Sequence, residues 1–362
     1  MEIFYSPSKY IQGEGILESL KEYSSQIGEG KVYALVDPFI NENYGDEIKS
    51  SYDEDECNLV VFNGECSEVE VKRHADFIEE NNEYSVVLGI GGGKTLDTAK
   101  AVGYYSDLPV IIVPTAASTD APCSALSVLY TEDGQFDKYL FLKHNPNVVL
   151  LDEKVIANAP VRLFNAGIGD ALATYYEADA TRRSNGNTTV GGKQGLTRMA
   201  LAELCLDTLL KDGIKASKAV ERNFVTKAVS NVIEANTFLS GLGFESGGLA
   251  GAHAIHNGLT AIEELHSLLH GEKVAFGTLT QMVLENRPID EIYTIIEFCK
   301  ELNLPTNFEE LGIANVSRDK LYEVAKLAND ENDTMGNMDF EVTDDAIVGA
   351  MYTLDALSKN LE

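Results

Sequence analysis

The sequence predicts an α/β domain with a doubly wound, mostly parallel sheet and an inserted β-hairpin, followed by an all-α domain. Short apolar runs alternate with helical stretches over roughly the first 150 residues, which is typical of a parallel sheet. Strand signals are almost absent after Pro160. The 362 residues exceed the roughly 250–300 that one hydrophobic core usually holds. We therefore expect two domains, residues 1–160 and residues 161–362.

Five apolar runs in the first half are candidate strands. Several are continuous rather than alternating, as expected for parallel strands that helices cover on both faces. Helical periodicity occupies Ser67–Asn81 and Thr95–Tyr104 between them. The predicted strands are Lys31–Asp37, Asn58–Phe62, Ser85–Gly89, Pro109–Pro114 and Asn147–Asp152.

One segment interrupts this alternation. Ala125–Tyr130 and Lys138–Leu142 flank Thr131–Asp137, which contains Glu-Asp-Gly, and this pattern predicts a β-hairpin. In the second half, Leu201, Cys205 and similar apolar residues recur at helical spacing. We therefore expect a mostly helical domain there.

Composition excludes several classes of protein. The formal net charge of −30 repels phosphate backbones, so we expect no nucleic-acid partner. An acidic, solvated surface is the ordinary interpretation of this charge, and adaptation to high salt is the alternative. No apolar run approaches the roughly 18–20 residues of a membrane span, and the first ten residues do not resemble a secretory signal. The five cysteines are dispersed without a C-x-x-C pair, which favours a reducing compartment and a cytoplasmic protein.

A glycine-rich turn joins a predicted strand to a predicted helix. Gly91, Gly92 and Gly93 precede Lys94 and Thr95, and such a turn lets a ligand approach the backbone and a helix N-terminus. The G-x-G-x-x-G pattern fails at position 94, and the P-loop pattern would need a glycine one residue before Gly89. A phosphate cradle is the functional interpretation, and a tight turn without a ligand is the structural one.

An acidic residue ends an earlier strand. Asp37 follows Val36 and precedes a proline, so its carboxylate could bind the ribose hydroxyls of NAD and repel the 2′-phosphate of NADP. A helix cap is an equally good interpretation. Asp37 precedes the glycines by more than fifty residues, whereas the acid follows them in the usual Rossmann fingerprint.

A loop of small polar residues follows the strand that ends at Pro114. It runs from Thr115 to Ala125, and in open α/β sheets ligands lie beyond such strand ends. Its hydroxyl groups suit contacts with a cofactor, and Asp120 could accept hydrogen bonds from substrate hydroxyls. Serine and threonine also cluster in plain loops, so the pattern alone leaves both interpretations open.

Four of the six histidines lie within the eighteen residues from His253 to His270. His253 and His256 are spaced i,i+3, and His266 and His270 are spaced i,i+4, so we expect each pair to share a helix face. Upstream, Gly167 and Gly169 suggest a flexible entry into a helix, with Asp170 as its N-cap or as a metal ligand. Imidazoles with one carboxylate suit Zn²⁺ or a similar divalent ion. Because H-E-x-x-H is absent, a zinc protease is disfavoured.

These motifs together resemble the iron-containing alcohol dehydrogenase superfamily, in which dehydroquinate synthase is a distant relative. The matching segments are residues 91–100, Pro114–Tyr130, Gly167–Asp170 and His253–Gly271. The segment from Pro114 to Val128 is typical of the glycerol dehydrogenase branch. The resemblance implies a dehydroquinate synthase-like fold with a Rossmann-like N-terminal domain, and an active site in the cleft between the domains.

The resemblance also implies a set of functional residues. It assigns a metal, Zn²⁺ or alternatively Fe²⁺, to Asp170, His253 and His270, with His256 and His266 near the site but not bound to the ion. Asp120 and Asp170 are the expected catalytic residues, and Asp120, Asp170, His253 and His270 are expected to bind the substrate. The expected NAD contacts are Asp37, Gly91, Gly92, Gly93, Lys94, Thr95, Thr115, Ala116, Ala117, Ser118, Ser124, Leu126 and Tyr130.

The implied reaction is the oxidation of glycerol, or a related small vicinal diol, to dihydroxyacetone. Hydride would pass from a metal-bound alkoxide to the nicotinamide of NAD. Members of the superfamily are generally homo-oligomers, often octamers. The alternatives are a glycerol-1-phosphate dehydrogenase and a dehydroquinate synthase-like enzyme. Both need a basic pocket for a phosphorylated substrate, and the sequence near Asp120 and Asp170 offers only Arg162.

Overall fold

The computed structural model of the protein describes residues 1–361, and its centre is a six-stranded parallel sheet. Its strands are β1 (Lys9–Gly13), β2 (Lys31–Val36), β3 (Cys57–Val61), β4 (Tyr84–Gly91), β5 (Val110–Pro114) and β8 (Val148–Asp152). Their order across the sheet is β1-β8-β5-β4-β2-β3. The five predicted strands are confirmed, each end lying within two residues of its predicted position.

Helices cover both faces of the sheet, as the continuous apolar strands require. Successive strand residues point into different cores: Leu88 and Ile111 belong to one buried cluster, and Val87 and Ile112 to another. The helices of this half are α1 (Leu20–Ser24), α2 (Pro38–Ser50), α3 (Glu68–Asn81), α4 (Gly93–Ser106) and α5 (Glu153–Asn158).

The predicted hairpin is confirmed as a separate two-stranded sheet. β6 (Leu126–Tyr130) pairs antiparallel with β7 (Phe136–Phe141), with Leu126 opposite Phe141. The hairpin follows the polar loop that begins at Thr115, so its first strand fixes the far end of that loop.

Strand β1 was not predicted from the sequence. Its residues Lys-Tyr-Ile-Gln-Gly are short of apolar side chains, and none of them is fully buried. The strand forms at the edge of the sheet because β8 offers an unpaired parallel neighbour, with Ile11 opposite Leu150. This pairing depends on a residue far along the chain, which local pattern cannot reveal.

The second half contains helices only, as predicted, and no named strand follows β8 within residues 1–361. A π-helical turn, Ala235–Leu239, joins two of the helices, and short 3-10 turns join others. The division into domains at residue 160 stays a prediction. The helices are α6 (Val161–Ser184), α7 (Leu196–Val220), α8 (Lys227–Glu234), α9 (Ser240–Gly247), α10 (Gly251–Leu259), α11 (His270–Leu284), α12 (Ile289–Glu301), α13 (Arg318–Ala328) and α14 (Asp344–Lys359).

The order in which the chain adds strands to the sheet reverses between β2 and β4. From β2 the chain runs to β3 on one side, and it then crosses back to form β4 on the other side of β2. The connections that follow β2 and β4 therefore lead in opposite directions. Ligands of open α/β sheets bind at such a switch point. Asp37 and Gly91 lie on its two sides.

Among residues 1–361, no helix combines the length and apolar character needed to cross a membrane.

Candidate active site

Asp170 lies in the middle of α6, which spans Val161–Ser184. The expectation that Asp170 caps a helix after a flexible Gly-x-Gly is therefore wrong. Gly167 and Gly169 are helical and buried, and they serve close packing. A Cβ on Gly167 would lie 1.8 Å from the Ala117 carbonyl oxygen, and a Cβ on Gly169 would lie 2.5 Å from the Gly271 carbonyl oxygen.

These glycines bring two distant segments onto α6. The missing side chain of Gly167 admits the loop that carries Ala117. The start of α11 packs just as closely, because a Cβ on Gly271 would lie 1.8 Å from the Ala166 carbonyl oxygen. His270, the first residue of α11, therefore faces Asp170.

Three side chains converge at this point. Asp170 Oδ1 lies 3.1 Å from His270 Nε2 and 3.6 Å from His253 Nε2. One ligand atom from each of the three residues lies within 4.8 Å of the others. Asp170 is fully buried, whereas 37% of the His270 side chain is exposed. The cluster therefore has a closed side and an accessible side.

The chemistry of this cluster fits a divalent metal ion. Asp170 Oδ1 is buried and forms no hydrogen bond, and a native structure rarely leaves such an atom unsatisfied. Burial alone would raise the pKa of Asp170, but the adjoining rings of His270 and His253 outweigh it and lower the pKa well below its ordinary value. Two imidazoles and a carboxylate with an open side suit Zn²⁺ or Fe²⁺.

The other two histidines have different positions. His256 shares α10 with His253, as expected, and its Nε2 lies 3.0 Å from His270 Nδ1. The second predicted pair is wrong, because His266 lies in a 3-10 turn before α11 and does not share a helix with His270. His266 is exposed, and its Nε2 contacts the Thr260 carbonyl oxygen at 3.0 Å.

Asp120 lies beside the cluster. Its backbone N–H donates to Asp170 Oδ2 at 3.1 Å, and its Oδ2 accepts a hydrogen bond from the Ser240 hydroxyl at 2.8 Å. Burial and the negative charge of Asp170 raise the pKa of Asp120 well above its ordinary value. The loop after β5 and helix α6 are therefore joined directly at the candidate site.

The glycine turn and the polar loop line a common cleft. A Cβ on Gly92 or Gly93 would meet nothing within 4 Å, so this stretch of backbone is open to a ligand. Gly93 begins α4, whose N-terminal amides face the same side. Five of the thirteen predicted NAD contacts line this cleft, namely Gly91, Gly92, Gly93, Ala116 and Ser118.

Asp37 lies next to this turn. Its backbone N–H donates to Ile90 at 2.9 Å, and a Cβ on Gly91, whose φ is +153°, would lie 2.7 Å from the Asp37 Cβ. Asp37 also caps α2, because its Oδ1 accepts from the Phe39 N–H at 2.9 Å. The structural interpretation of Asp37 is thus confirmed, and the contact with NAD stays a prediction.

Most of the other predicted NAD contacts are already bonded within the protein. Lys94 Nζ lies 2.6 Å from Glu65 Oε2 and 5.0 Å from the centre of the Tyr130 ring. Ser124 is fully buried, and its hydroxyl donates to the Ala121 carbonyl. The Thr115 N–H donates to the Gly91 carbonyl oxygen, and the Leu126 carbonyl oxygen accepts from Lys100 Nζ. Thr95 and Ala117 are buried.

Two residues that contact the cluster or Asp120 were missed by sequence reasoning. Ser240 donates to Asp120, and Glu177 Oε2 lies 2.6 Å from His253 Nδ1. Glu177 follows Asp170 by seven residues, two turns of one helix, and that spacing could have revealed it. No local pattern around Ser240 predicts its contact, since it depends on the packing of α9 against the loop.

Comparisons with known proteins agree with this arrangement. The family described as iron-containing alcohol dehydrogenase matches residues 7–153. A glycerol dehydrogenase of Escherichia coli O6:H1 is 49% identical over 98% of this chain and 96% of that protein. A glycolaldehyde reductase of Halobacterium salinarum is 43% identical over 99% of this chain and 98% of that protein. The crystal structure of glycerol dehydrogenase from Schizosaccharomyces pombe superposes with a TM-score of 0.95 and 40% identity, covering 99% of this chain and 92% of that chain.

The fold and the site define an oxidoreductase that uses a nicotinamide cofactor and one metal ion. The chain belongs to the iron-containing alcohol dehydrogenase family and, within it, to the glycerol dehydrogenase branch.

Proposed function

We propose that this protein oxidises glycerol, and related small vicinal diols, to the corresponding hydroxyketone with NAD⁺ and one divalent metal ion. Zn²⁺ is the proposed ion, with Fe²⁺ as the alternative, and its ligands are Asp170, His253 and His270. The observation that carries the proposal is the buried Asp170 Oδ1, which has no hydrogen bond and faces two imidazole rings beside an open cleft.

Each residue has a defined task in this reaction. When bound, a divalent ion acidifies an alcohol and the nicotinamide accepts a hydride. Asp170 supplies the negative charge that holds the cation, and the partly exposed His270 leaves room for substrate. Asp120 binds a hydroxyl group of the polyol, and Ser240 fixes the orientation of its carboxylate at 2.8 Å.

The cleft between the glycine turn and the polar loop receives NAD⁺ in this proposal. Gly92 and Gly93 leave space for the pyrophosphate at the N-terminus of α4. Ala116 and Ser118, from the polar loop, also line the cleft. Because Asp120 belongs to the same loop, this arrangement keeps the cofactor and the polyol adjacent.

Phosphorylated substrates are not favoured by the basic residues near the site. Arg162, the basic residue that lies closest to Asp170 in the sequence, is held by Glu272 through two contacts of 2.6 and 2.8 Å. A phosphate would have to displace that carboxylate. Glycerol 1-phosphate is therefore expected to be a poor substrate.

Substrate panels test this proposal. NADH formation should be measured with glycerol, 1,2-propanediol and glycerol 1-phosphate after removal of metal with a chelator, and again after addition of Zn²⁺ or Fe²⁺. We expect oxidation of both diols only in the presence of a metal. Glycolaldehyde with NADH tests the reverse direction suggested by the name of the Halobacterium salinarum relative. Full activity of the chelated protein would contradict the metal proposal, and a preference for glycerol 1-phosphate would contradict the substrate proposal.

The variant Asp170→Asn tests the metal ligand directly. We expect kcat/KM for glycerol to fall by at least roughly a thousand-fold, since a neutral amide holds a cation poorly and the ion organises the reaction. Asp212→Asn is the matched control, because Asp212 is also buried but bonds Lys215 and Asn231 in α7 and α8. Equal activity of the two variants would exclude Asp170 from the reaction.

Homo-oligomeric assembly, octameric by family resemblance, and a cytoplasmic location stay predictions.

A further inference from the structure

We propose that Glu177 is a positioning residue that fixes the tautomer and the orientation of His253 and so strengthens metal binding. This inference rests on the proposed function, because it assumes that His253 binds the ion through Nε2. Glu177 does not touch the proposed substrate or cofactor, and it acts through the imidazole alone.

The contacts of Glu177 use both of its carboxylate oxygens. Oε2 lies 2.6 Å from His253 Nδ1. Oε1 accepts two backbone hydrogen bonds, from the Ala250 N–H at 2.8 Å and from the His253 N–H at 2.9 Å. The side chain is fully buried. Glu177 therefore anchors the start of α10 and the ring of its third residue at the same time.

This geometry determines which nitrogen of His253 is free. A carboxylate can only accept hydrogen bonds, so Nδ1 must carry the hydrogen. Nε2 then presents its lone pair towards Asp170, 3.6 Å from Oδ1. Carboxylate partners of this kind orient ligand histidines and raise their basicity.

The same helix supplies both the proposed ligand and the orienting group. Asp170 and Glu177 are seven residues apart on α6, so they lie on one face two turns apart. A shift of α6 would move the ligand and the orienter together, which preserves their relative geometry.

His270 is oriented instead by two neutral side chains, those of His256 and Asn257. The Asn257 side-chain amide donates to Asp333, so its Oδ1 is the acceptor that faces His256 Nδ1 at 3.1 Å. His256 Nε2 then accepts from His270 Nδ1 at 3.0 Å, which leaves His270 Nε2 free as well. Of the two proposed ligand histidines, His253 has an anionic partner at Nδ1, whereas His270 has a neutral imidazole there. We therefore expect the larger effect on metal affinity at Glu177.

The variant Glu177→Gln changes the tautomer rather than removing a side chain. The two backbone N–H groups require an acceptor, so the glutamine oxygen takes the position of Oε1. Its NH₂ group then faces His253 Nδ1, which must accept, and the hydrogen moves to Nε2. The nitrogen that faces Asp170 can then no longer bind a metal in the neutral ring.

The experiment measures Zn²⁺ affinity by competition with a chromophoric chelator, together with thermal unfolding of the chelated protein. We expect Glu177→Gln to bind Zn²⁺ about 10- to 100-fold more weakly than the wild type. Glu245→Gln is the matched control. Glu245 is also buried and accepts from the Ala125 N–H and the Asn145 amide, both at 2.6 Å, but contacts no imidazole. We expect its Zn²⁺ affinity to equal that of the wild type.

The outcomes separate this inference from the proposed function. A wild type that binds no Zn²⁺ would overturn the proposed metal site itself. If the wild type binds Zn²⁺ tightly and Glu177→Gln binds it equally well, the role of Glu177 is refuted while the site stands. An equal loss of affinity in both glutamine variants would show a general effect of burying an amide and would also refute it.

A second variant covers the case in which Glu177→Gln does not fold. Glu177→Asp keeps the charge and the acceptors but is one methylene too short to reach both the backbone N–H groups and the ring. We expect weaker Zn²⁺ binding than in the wild type, and excess Zn²⁺ should restore glycerol oxidation. Wild-type affinity in a folded Glu177→Asp would contradict the proposal.

Discussion

Two glycine clusters contribute to the candidate active site, and they act in different ways. At the turn after β4, a Cβ on Gly92 or Gly93 would meet no atom within 4 Å. Within α6 and at the start of α11, a Cβ on Gly167 or Gly271 would lie 1.8 Å from a backbone oxygen. At the first cluster the place of the missing side chains is open, whereas at the second it is filled by the backbone of another segment.

The open cluster suits the binding of a ligand, whereas the filled cluster serves packing within the protein. An empty position over a helix N-terminus is useful only if something outside the chain fills it. A position filled by the backbone of another segment brings that segment closer than any side chain would permit, and here it places Ala117 and His270 against α6. Glycine in the sequence indicates both situations equally, so only the three-dimensional surroundings distinguish them.

The largest effect is expected for Gly167→Ala. The new methyl group would overlap the Ala117 carbonyl and the Asn236 amide, and the overlap with backbone cannot be relieved by a rotamer change. We expect the free energy of unfolding to fall by about 3 kcal/mol or more. Chemical denaturation measures it, with Gly349→Ala as the control.

Gly349 lies on the exposed side of α14, and a Cβ there would meet nothing within 4 Å. Because alanine favours a helix over glycine by about 1 kcal/mol, this control should be slightly stabilised. A loss at Gly349 as large as the loss at Gly167 would show that the overlap with Ala117 is not the cause of the result at Gly167.

A smaller and more selective effect is expected for Gly92→Ala. Gly92 has φ of −86°, which alanine adopts without strain, and the space around it is open. The midpoint of unfolding should therefore stay at the wild-type value. NAD⁺ should bind about ten-fold more weakly, a loss of about 1.4 kcal/mol, since a methyl group would keep the pyrophosphate from the backbone. Unchanged NAD⁺ affinity in a calorimetric titration would argue against a cradle at this turn.

Sequence patterns predicted the parts of this protein whose causes are local. The apolar runs from Lys31 onwards located five of the six sheet strands, because strands buried on both faces are continuously hydrophobic. The edge strand at Lys9–Gly13 has no such run and was missed. Asp170 was located as a candidate ligand but given the wrong local structure, since the glycines beside it resemble a flexible entry.

The partners of the candidate ligands depend on tertiary packing. His266 and His270 are four residues apart and looked like one helix face, yet α11 begins only at His270. Ser240 carries no local signature, and Glu177 is indicated only by its seven-residue spacing from Asp170, although each contacts a side chain of the predicted site. Spacing could suggest which residue types meet, but the close approach that Gly167 and Gly271 allow decides which of them do.

The smallest effect is expected at the far end of the open turn, for Asp37→Asn. Asparagine caps a helix about as well as aspartate, so the bond to the Phe39 N–H and the stability of α2 should persist. The charge that would repel a 2′-phosphate disappears, and at a contact of about 4 Å in water that repulsion is worth about 1 kcal/mol. The ratio of kcat/KM for NAD⁺ to that for NADP⁺ should therefore fall roughly five-fold, measured with glycerol and saturating Zn²⁺. An unchanged ratio would mean that Asp37 only caps α2, and that the cofactor's ribose lies elsewhere in the cleft.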